Sequence, residues 1–303
     1  MKRDFLSLED FSDKEIIEIF KRTRELKKEK IQHTLKNKIL ALIFEKASTR
    51  TRVSFETGIK QLGGDSIFMS PEQSQLGRGE EIKDTARVLS RYVDCIVIRT
   101  FQQERLEEFA GFSSIPVING LTDLRHPCQI LTDIFTIMEF LGSIEGKTVA
   151  FIGDGNNMMN SWITSLLKLD FTLVCAFPKG YEPDKKIVEK TEKEGKGKLI
   201  LTNDPIIAVE SADVINTDVW ASMGQEEQQN IRREAFKKFQ INASLLSESK
   251  KEIEPFVLHC LPAHKGEEIT DDVFEKNSEY IFTQAENRLH VQKAIMEQLL
   301  KNR

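Results

Sequence analysis

Two hydroxyl–arginine pairs in succession, Ser48-Thr49-Arg50-Thr51-Arg52, stand where the apolar run 39–44 gives way to a stretch of helical periodicity. A helix N-terminus leaves about four N–H groups unpaired and carries roughly half a positive charge, so hydroxyls and guanidinium groups added there form a cradle for a phosphate dianion. Ser48 alone would be an ordinary helix cap, and a lone arginine an ordinary surface charge. The repetition, at the end of a strand where open α/β sheets bind ligands, favours the anion site. Farther along, Gly153-Asp154-Gly155-Asn156-Asn157-Met158 has the outline of a dinucleotide fingerprint. Met158 stands where the third glycine belongs, and the next strand ends in Ala176-Phe177-Pro178 with no acid for a ribose hydroxyl, so an NAD-dependent dehydrogenase is the disfavoured rival. An NAD titration separates the two. Asp218 follows another apolar run and is either a turn former or a carboxylate for an ammonium group. His259, Cys260 and His264 could supply zinc ligands, but no second Cys/His pair has the spacing of a structural zinc site, so no metal is expected.

The elements that must position these groups alternate along the chain. Short apolar runs at 39–44, 66–69, 95–98 and 116–118, then 148–152, 172–176, 198–201, 214–217 and 256–258, are separated by helical stretches. Thr51, Phe55, Ile59 and Leu62 form one such helical stripe, which stops at Gly63-Gly64. Continuous apolar strands alternating with helices predict parallel sheets covered on both faces. The expected fold is α/β, two doubly wound parallel-sheet domains joined by interdomain helices. Ile130, Leu131, Ile134, Met138 and Leu141 give residues 127–141 one apolar face, with Pro127 suited to a first turn, and Gly142 and Gly146 follow. The domains are therefore expected at 1–141 and 142–283, with a last helix over about 284–303 packing back on the first.

The chain has 303 residues, room for two cores, and a net charge of −5 from 43 Lys plus Arg against 48 Asp plus Glu. That balance argues against a nucleic-acid partner, which demands a basic face. No apolar run reaches the length of a membrane span, and no signal peptide is recognisable, so a cytoplasmic location without membrane partners is expected. Cys95, Cys128, Cys175 and Cys260 are scattered, without a C-x-x-C, which suits a reducing compartment.

With its flanks, the 48–56 run Ser-Thr-Arg-Thr-Arg-Val-Ser-Phe-Glu resembles the carbamoyl phosphate motif of the aspartate and ornithine carbamoyltransferase family. Arg99, His126-Pro127-Cys128-Gln129 and Arg288 match further motif positions in order and spacing, so the resemblance spans the chain. It implies that Ser48, Thr49, Arg50, Thr51, Gln75, Arg99, His126, Gln129, Cys260, Leu261 and Arg288 bind carbamoyl phosphate, with Arg288 at the start of the last helix. Arg99, His126 and Thr51 would then aim donors at the carbonyl oxygen that turns anionic as an amine attacks, while Arg50 and the helix N-terminus hold the leaving phosphate. It also implies that the loop 74–80 reaches a neighbouring subunit's site with Gln75, in a homotrimer.

The amino-acid end resembles the ornithine branch. Gly-Asp-x-Asn-Asn is similar to its motif and implies that Asn157 contacts ornithine; Asp218-Val219-Trp220-Ala221-Ser222-Met223-Gly224 resembles its D-x-W-x-S-M-G segment and adds Asp218, Ser222 and Met223. His259-Cys260-Leu261-Pro262 resembles the ornithine-type H-C-L-P, which implies that Cys260 and Leu261 lie near both substrates. The implied catalytic residues are Arg99, His126, Asp218 and Cys260. The implied substrates are carbamoyl phosphate and L-ornithine, giving citrulline without a cofactor, with arginine biosynthesis and arginine breakdown both open as its setting. Aspartate, putrescine and acetylornithine are the alternative acceptors, disfavoured by Gln75, Ser222-Met223-Gly224 and the H-C-L-P segment. A catalytically dead binding subunit is disfavoured because every motif position keeps a competent residue.

Overall fold

The computed structural model describes residues 2–70, 79–220 and 229–301. Its backbone divides into two compact units, one of residues 1–132 and 287–303 and the other of residues 133–286.

In the first unit, the helix α1 (Asp13–Lys28) opens on a reciprocal capping box in which Ser12 and Glu15 satisfy each other's backbone N–H. β1 (Ile39–Phe44) follows, buried along nearly its whole length, as a central parallel strand requires. Then come α2 (Thr49–Gln61), β2 (Asp65–Met69), α3 (Ile82–Leu89), β3 (Cys95–Arg99), α4 (Gln103–Phe112), β4 (Val117–Leu121) and α5 (Pro127–Leu141). The strands form a parallel sheet in the order β2-β1-β3-β4. The chain therefore leaves β1 toward one edge and returns on its other side at β3. Carboxyl ends of strands flanking such a reversal leave a crevice that helices do not fill. Phe44 of β1 lies in register with Arg99 of β3. Between β3 and β4 the register slips: Ile98 pairs with Asn119 but Arg99 with Leu121, leaving Gly120 as the extra residue.

The second unit begins within α5 and continues with β5 (Thr148–Ile152), α6 (Asn157–Ser165), β6 (Thr172–Ala176), α7 (Lys185–Glu194), β7 (Lys198–Thr202), α8 (Pro205–Glu210) and β8 (Val214–Thr217). After these lie α9 (Gln229–Phe236), α10 (Ala243–Leu246), β9 (Phe256–His259), α11 (Asp271–Lys276) and α12 (Ser278–Leu300), which belongs to this unit up to Glu286. The sheet is parallel, ordered β7-β6-β5-β8-β9, so the reversal falls between β5 and β8. Its core includes Ala150, Ile152, Ile215, Trp220, Phe236 and Val257.

The last helix begins at Ser278 rather than near Gln284. Tyr280 stacks on Phe256 at 4.5 Å and Ile281 is fully buried, so its first turns have apolar contacts of their own. Arg288 consequently lies in the third turn of α12, not at its start. Beyond Asn287 the helix joins the first unit, where Arg22 Nε meets Glu297 at 2.6 Å and Lys27 Nζ meets Asn287 at 2.8 Å. Among the described residues, no helix is long and apolar enough to cross a membrane.

Candidate active site

Ser48 caps α2, its hydroxyl accepting the Thr51 N–H at 3.2 Å. Thr49 and Arg50 are exposed in the first helical turn, whereas Thr51 points inward and is buried. The two arginines of the motif have separated. Arg52 lies over the Phe68 ring at 3.6 Å and pairs with Glu56 at 2.8 Å, which leaves Arg50 as the one available to an anion at the helix terminus.

The Thr51 hydroxyl oxygen accepts from Arg288 Nη2 at 2.8 Å and, more weakly, from Arg99 Nη1 at 3.4 Å. With both lone pairs engaged by guanidinium donors, its own O–H is left to donate outward. Arg99 arrives from the end of β3, at the register slip opposite Gly120. A Cβ at Gly120 would sit 3.1 Å from the Ile98 carbonyl oxygen, so the slip depends on a small residue. His126, directly before α5, is buried, and that burial, reinforced by the nearby charges of Arg288 and Arg99, holds its pKa well below the ordinary value. The ring is therefore neutral at physiological pH, able to donate one N–H without adding a third positive charge. Gln129 is fully buried one turn along α5, its backbone N–H on the His126 carbonyl at 3.1 Å. Neighbouring Cys128 is no nucleophile, since burial pushes its thiol up to about 12.

In the second unit, Asp218 follows β8 at the sheet's reversal. Its Oδ1 accepts from the Cys260 thiol at 3.1 Å and the Val219 N–H at 2.8 Å, and its Oδ2 accepts from Asn156 Nδ2 at 3.1 Å. Asn156 is the residue that sequence reasoning missed. Its Oδ1 caps α6 by accepting from Met158 and Met159, so a single amide fixes the helix and orients the carboxylate. Asn157 is the first residue of α6, half-buried beside it. Gly155 has its own necessity: a Cβ there would lie 2.3 Å from the Glu182 carbonyl carbon. Next to Asp218, burial pushes the Asp154 carboxyl up and Arg232, at 2.8 Å, opposes that rise.

Cys260 and Leu261 leave the end of β9. Leu261 has φ of +60°, a left-handed conformation that strains a branched side chain by about 1–2 kcal/mol. Its N–H donates to His259 Nδ1 at 2.9 Å, and His259 Nε2 faces Glu268 Oε1 at 3.0 Å. A backbone N–H can only donate, so Nδ1 is the acceptor and Nε2 carries the proton. Both ring nitrogens are thus engaged, and neither joins Cys260 in a zinc site. His264, Glu267 and Glu268 do bring ligand atoms within 4.8 Å of one another, but Glu268 Oε1 already accepts the His264 N–H at 2.6 Å. Gln75, Ser222 and Met223 lie outside the described residues.

A parallel-sheet unit with guanidinium groups gathered on a buried threonine, and another with a carboxylate held between an amide and a thiol, describe an α/β enzyme that handles an anion and an amine. Residues 3–139 match the carbamoyl phosphate-binding domain of the aspartate/ornithine carbamoyltransferases, and residues 145–299 match their aspartate/ornithine-binding domain; the chain belongs to this family. It is 52% identical to an ornithine carbamoyltransferase of Geobacter metallireducens over 305 residues, covering 99% of this chain and all of that one. Among solved structures it resembles the anabolic ornithine carbamoyltransferase of Campylobacter jejuni, with 42% identity and a TM-score of 0.94 over 99% of this chain and 100% of the other. The ornithine carbamoyltransferase of Pyrococcus furiosus is similar at 44% identity and a TM-score of 0.90, covering 99% and 97% of the two chains.

Proposed function

We propose that this protein transfers the carbamoyl group of carbamoyl phosphate to the δ-amine of L-ornithine, releasing L-citrulline and phosphate. The observation that carries the reading is the buried Thr51 hydroxyl engaged by both Arg288 and Arg99 beside a neutral His126. The attacked carbonyl oxygen gains negative charge as the tetrahedral intermediate forms, and the Thr51 O–H, Arg99 and the His126 imidazole are the donors we assign to it. Preorganised donors of this kind stabilise the transition state more than the ground state. Ser48, Thr49, Arg50 and the N-terminus of α2 then hold the departing phosphate, with Gln129 and Arg288 completing that site.

For the acceptor we assign Asp218 to the α-ammonium group of ornithine, Asn157, Ser222 and Met223 to its amino-acid end, and Cys260 and Leu261 to the region of the reacting amine. An amine resembling that of lysine has a pKa near about 10.4 in water, so the site must favour its neutral form before attack. The Cys260 thiol donates to Asp218, which gives it a proton of its own and argues against its acting as the resting base. We further propose a cytoplasmic homotrimer serving arginine biosynthesis, in which Gln75 of one subunit completes a neighbour's site.

The test supplies the purified protein with carbamoyl phosphate and, in turn, ornithine, putrescine, aspartate or acetylornithine, measuring phosphate and carbamoylated product together. Ornithine is expected to outrun the others by kcat/KM. A greater kcat/KM with any other amine, or no phosphate release with ornithine, would overturn the assignment.

A further inference from the structure

Beneath Asp218 and Cys260 lies a bridge of buried polar side chains. Asp133 on α5 accepts from Gln284 Nε2 of α12 at 2.6 Å through Oδ1 and from Asn216 Nδ2 of β8 at 3.2 Å through Oδ2. Gln284 in turn accepts the backbone N–H of His259, on β9, at 3.0 Å through Oε1. Asp133, Asn216 and Gln284 are at most 1% exposed. A carboxylate and two amides removed from water are costly unless fully satisfied, and an apolar set of similar volume would serve packing as well or better.

The places the bridge touches explain why polar groups stand there. Asn216 lies two residues before Asp218, and His259 lies one before Cys260. β8 and β9 pair with Asn216 opposite Leu258 and Thr217 opposite His259, so the contact of Cys260 with Asp218 at 3.1 Å depends on how these strand ends sit against each other. β9 is an edge strand, and among the described residues its outward N–H groups have no neighbouring strand to meet. Asn277 takes the Val257 N–H at 2.8 Å, and Gln284, seven residues later, takes that of His259. Gln284 connects this edge through Asp133 to β8.

We propose that Asp133, Gln284 and Asn216 are positioning residues that hold the ends of β8 and β9 so that the Cys260 thiol and the Asp218 carboxylate stay in contact. The proposal rests on the assignment of both residues to the acceptor site. It predicts that breaking the bridge alters the reactivity of Cys260 and turnover while leaving the carbamoyl phosphate site intact.

The test is alkylation of the full-length chain with iodoacetamide, mapped cysteine by cysteine, alongside steady-state kinetics. Gln284→Met is expected to raise the rate at Cys260 about fivefold, because a thiol no longer tied to a carboxylate ionises more readily. Buried Cys95, Cys128 and Cys175 should stay unlabelled, and kcat should fall about tenfold with KM for carbamoyl phosphate unchanged. Asn277→Ala supplies the contrast: it removes an edge cap without touching the bridge, so it should lower Tm and leave the rate at Cys260 at the wild-type value. Wild-type labelling of Cys260 in folded Gln284→Met, labelling of all four cysteines together, or equal acceleration in Asn277→Ala would each overturn the proposal. If Gln284→Met does not fold, Asn216→Ser is read in the same way. The labelling pattern does not depend on which amine is carbamoylated, so its failure and the failure of the proposed function are separate results.

Discussion

The two units solve the same topological problem with opposite electrostatics. Each places its candidate site where a parallel sheet reverses direction, between β1 and β3 in one and between β5 and β8 in the other. At the first, two guanidinium groups converge on one hydroxyl beside an imidazole that burial, reinforced by their charges, keeps neutral. At the second, the carboxylate of Asp218 is met by an amide, a thiol and a backbone N–H, with no cation bonded to it among the described residues. The contrast teaches that a shared scaffold dictates where a ligand binds, while the residues after each strand dictate its charge. One unit suits an anion common to the whole family, and the other suits the group that distinguishes acceptors.

If this division holds, damage to the first site should reduce turnover with every amine alike. Arg99→Met is expected to lower kcat/KM about a thousandfold for ornithine and in the same proportion for any weaker acceptor, the scale of losing a charged donor to a developing oxyanion. A change in the ranking of acceptors would break the comparison. Asp218→Asn should cost about a hundredfold in kcat/KM for ornithine while KM for carbamoyl phosphate stays within about twofold. Gly155→Ala tests folding instead: its Cβ collides with the chain at Glu182 and Pro183, so a loss of about 2 kcal/mol in denaturant unfolding is expected.

The neutral His126 sharpens the contrast through pH. Its folded pKa lies below its unfolded value of about 6.5, so the unfolded chain binds more protons there. The stability it supports is fully present above pH about 6.5 and is lost as pH falls toward the folded value, at up to about 1.4 kcal/mol per unit. Melting curves at pH 5 and 8 should therefore diverge more for the wild type than for His126→Gln. The smallest effect expected is that of Cys260→Ser, less than about tenfold in kcat, with the pH–rate profile unchanged if the thiol is not the titrating group.

Much of the fold was legible because central parallel strands are continuous apolar runs. β1, β5, β6 and β8, together with α5, occupy the same residues that hydrophobic pattern assigns to them. α1 is harder to read although Ser12 and Glu15 announce it, since its apolar stripe is diluted by lysine and glutamate. The early start of α12 escaped because packing on Phe256, a distant residue, recruits its first turns. The motif around Thr51 was readable as a local string, but the meeting of Arg99 and Arg288 on one hydroxyl joins segments far apart in the chain. The motif singles out Asn157 for ornithine and says nothing of its neighbour, yet it is Asn156 that holds Asp218. The Asp133 bridge left one visible trace, a carboxylate on an otherwise apolar stripe of α5.

The slip between β3 and β4 carries a consequence for how this chain can change over generations. Connections between elements ordinarily absorb inserted or deleted residues. Here Gly120 already supplies one uncompensated residue, after which Thr100 N–H meets the Leu121 carbonyl at 3.0 Å and Thr122 N–H meets that of Arg125 at 2.9 Å. Removing or adding a residue between Gly120 and Pro127 would rotate His126 off its bearing, so lineages should keep the count of residues there constant even where an individual side chain changes.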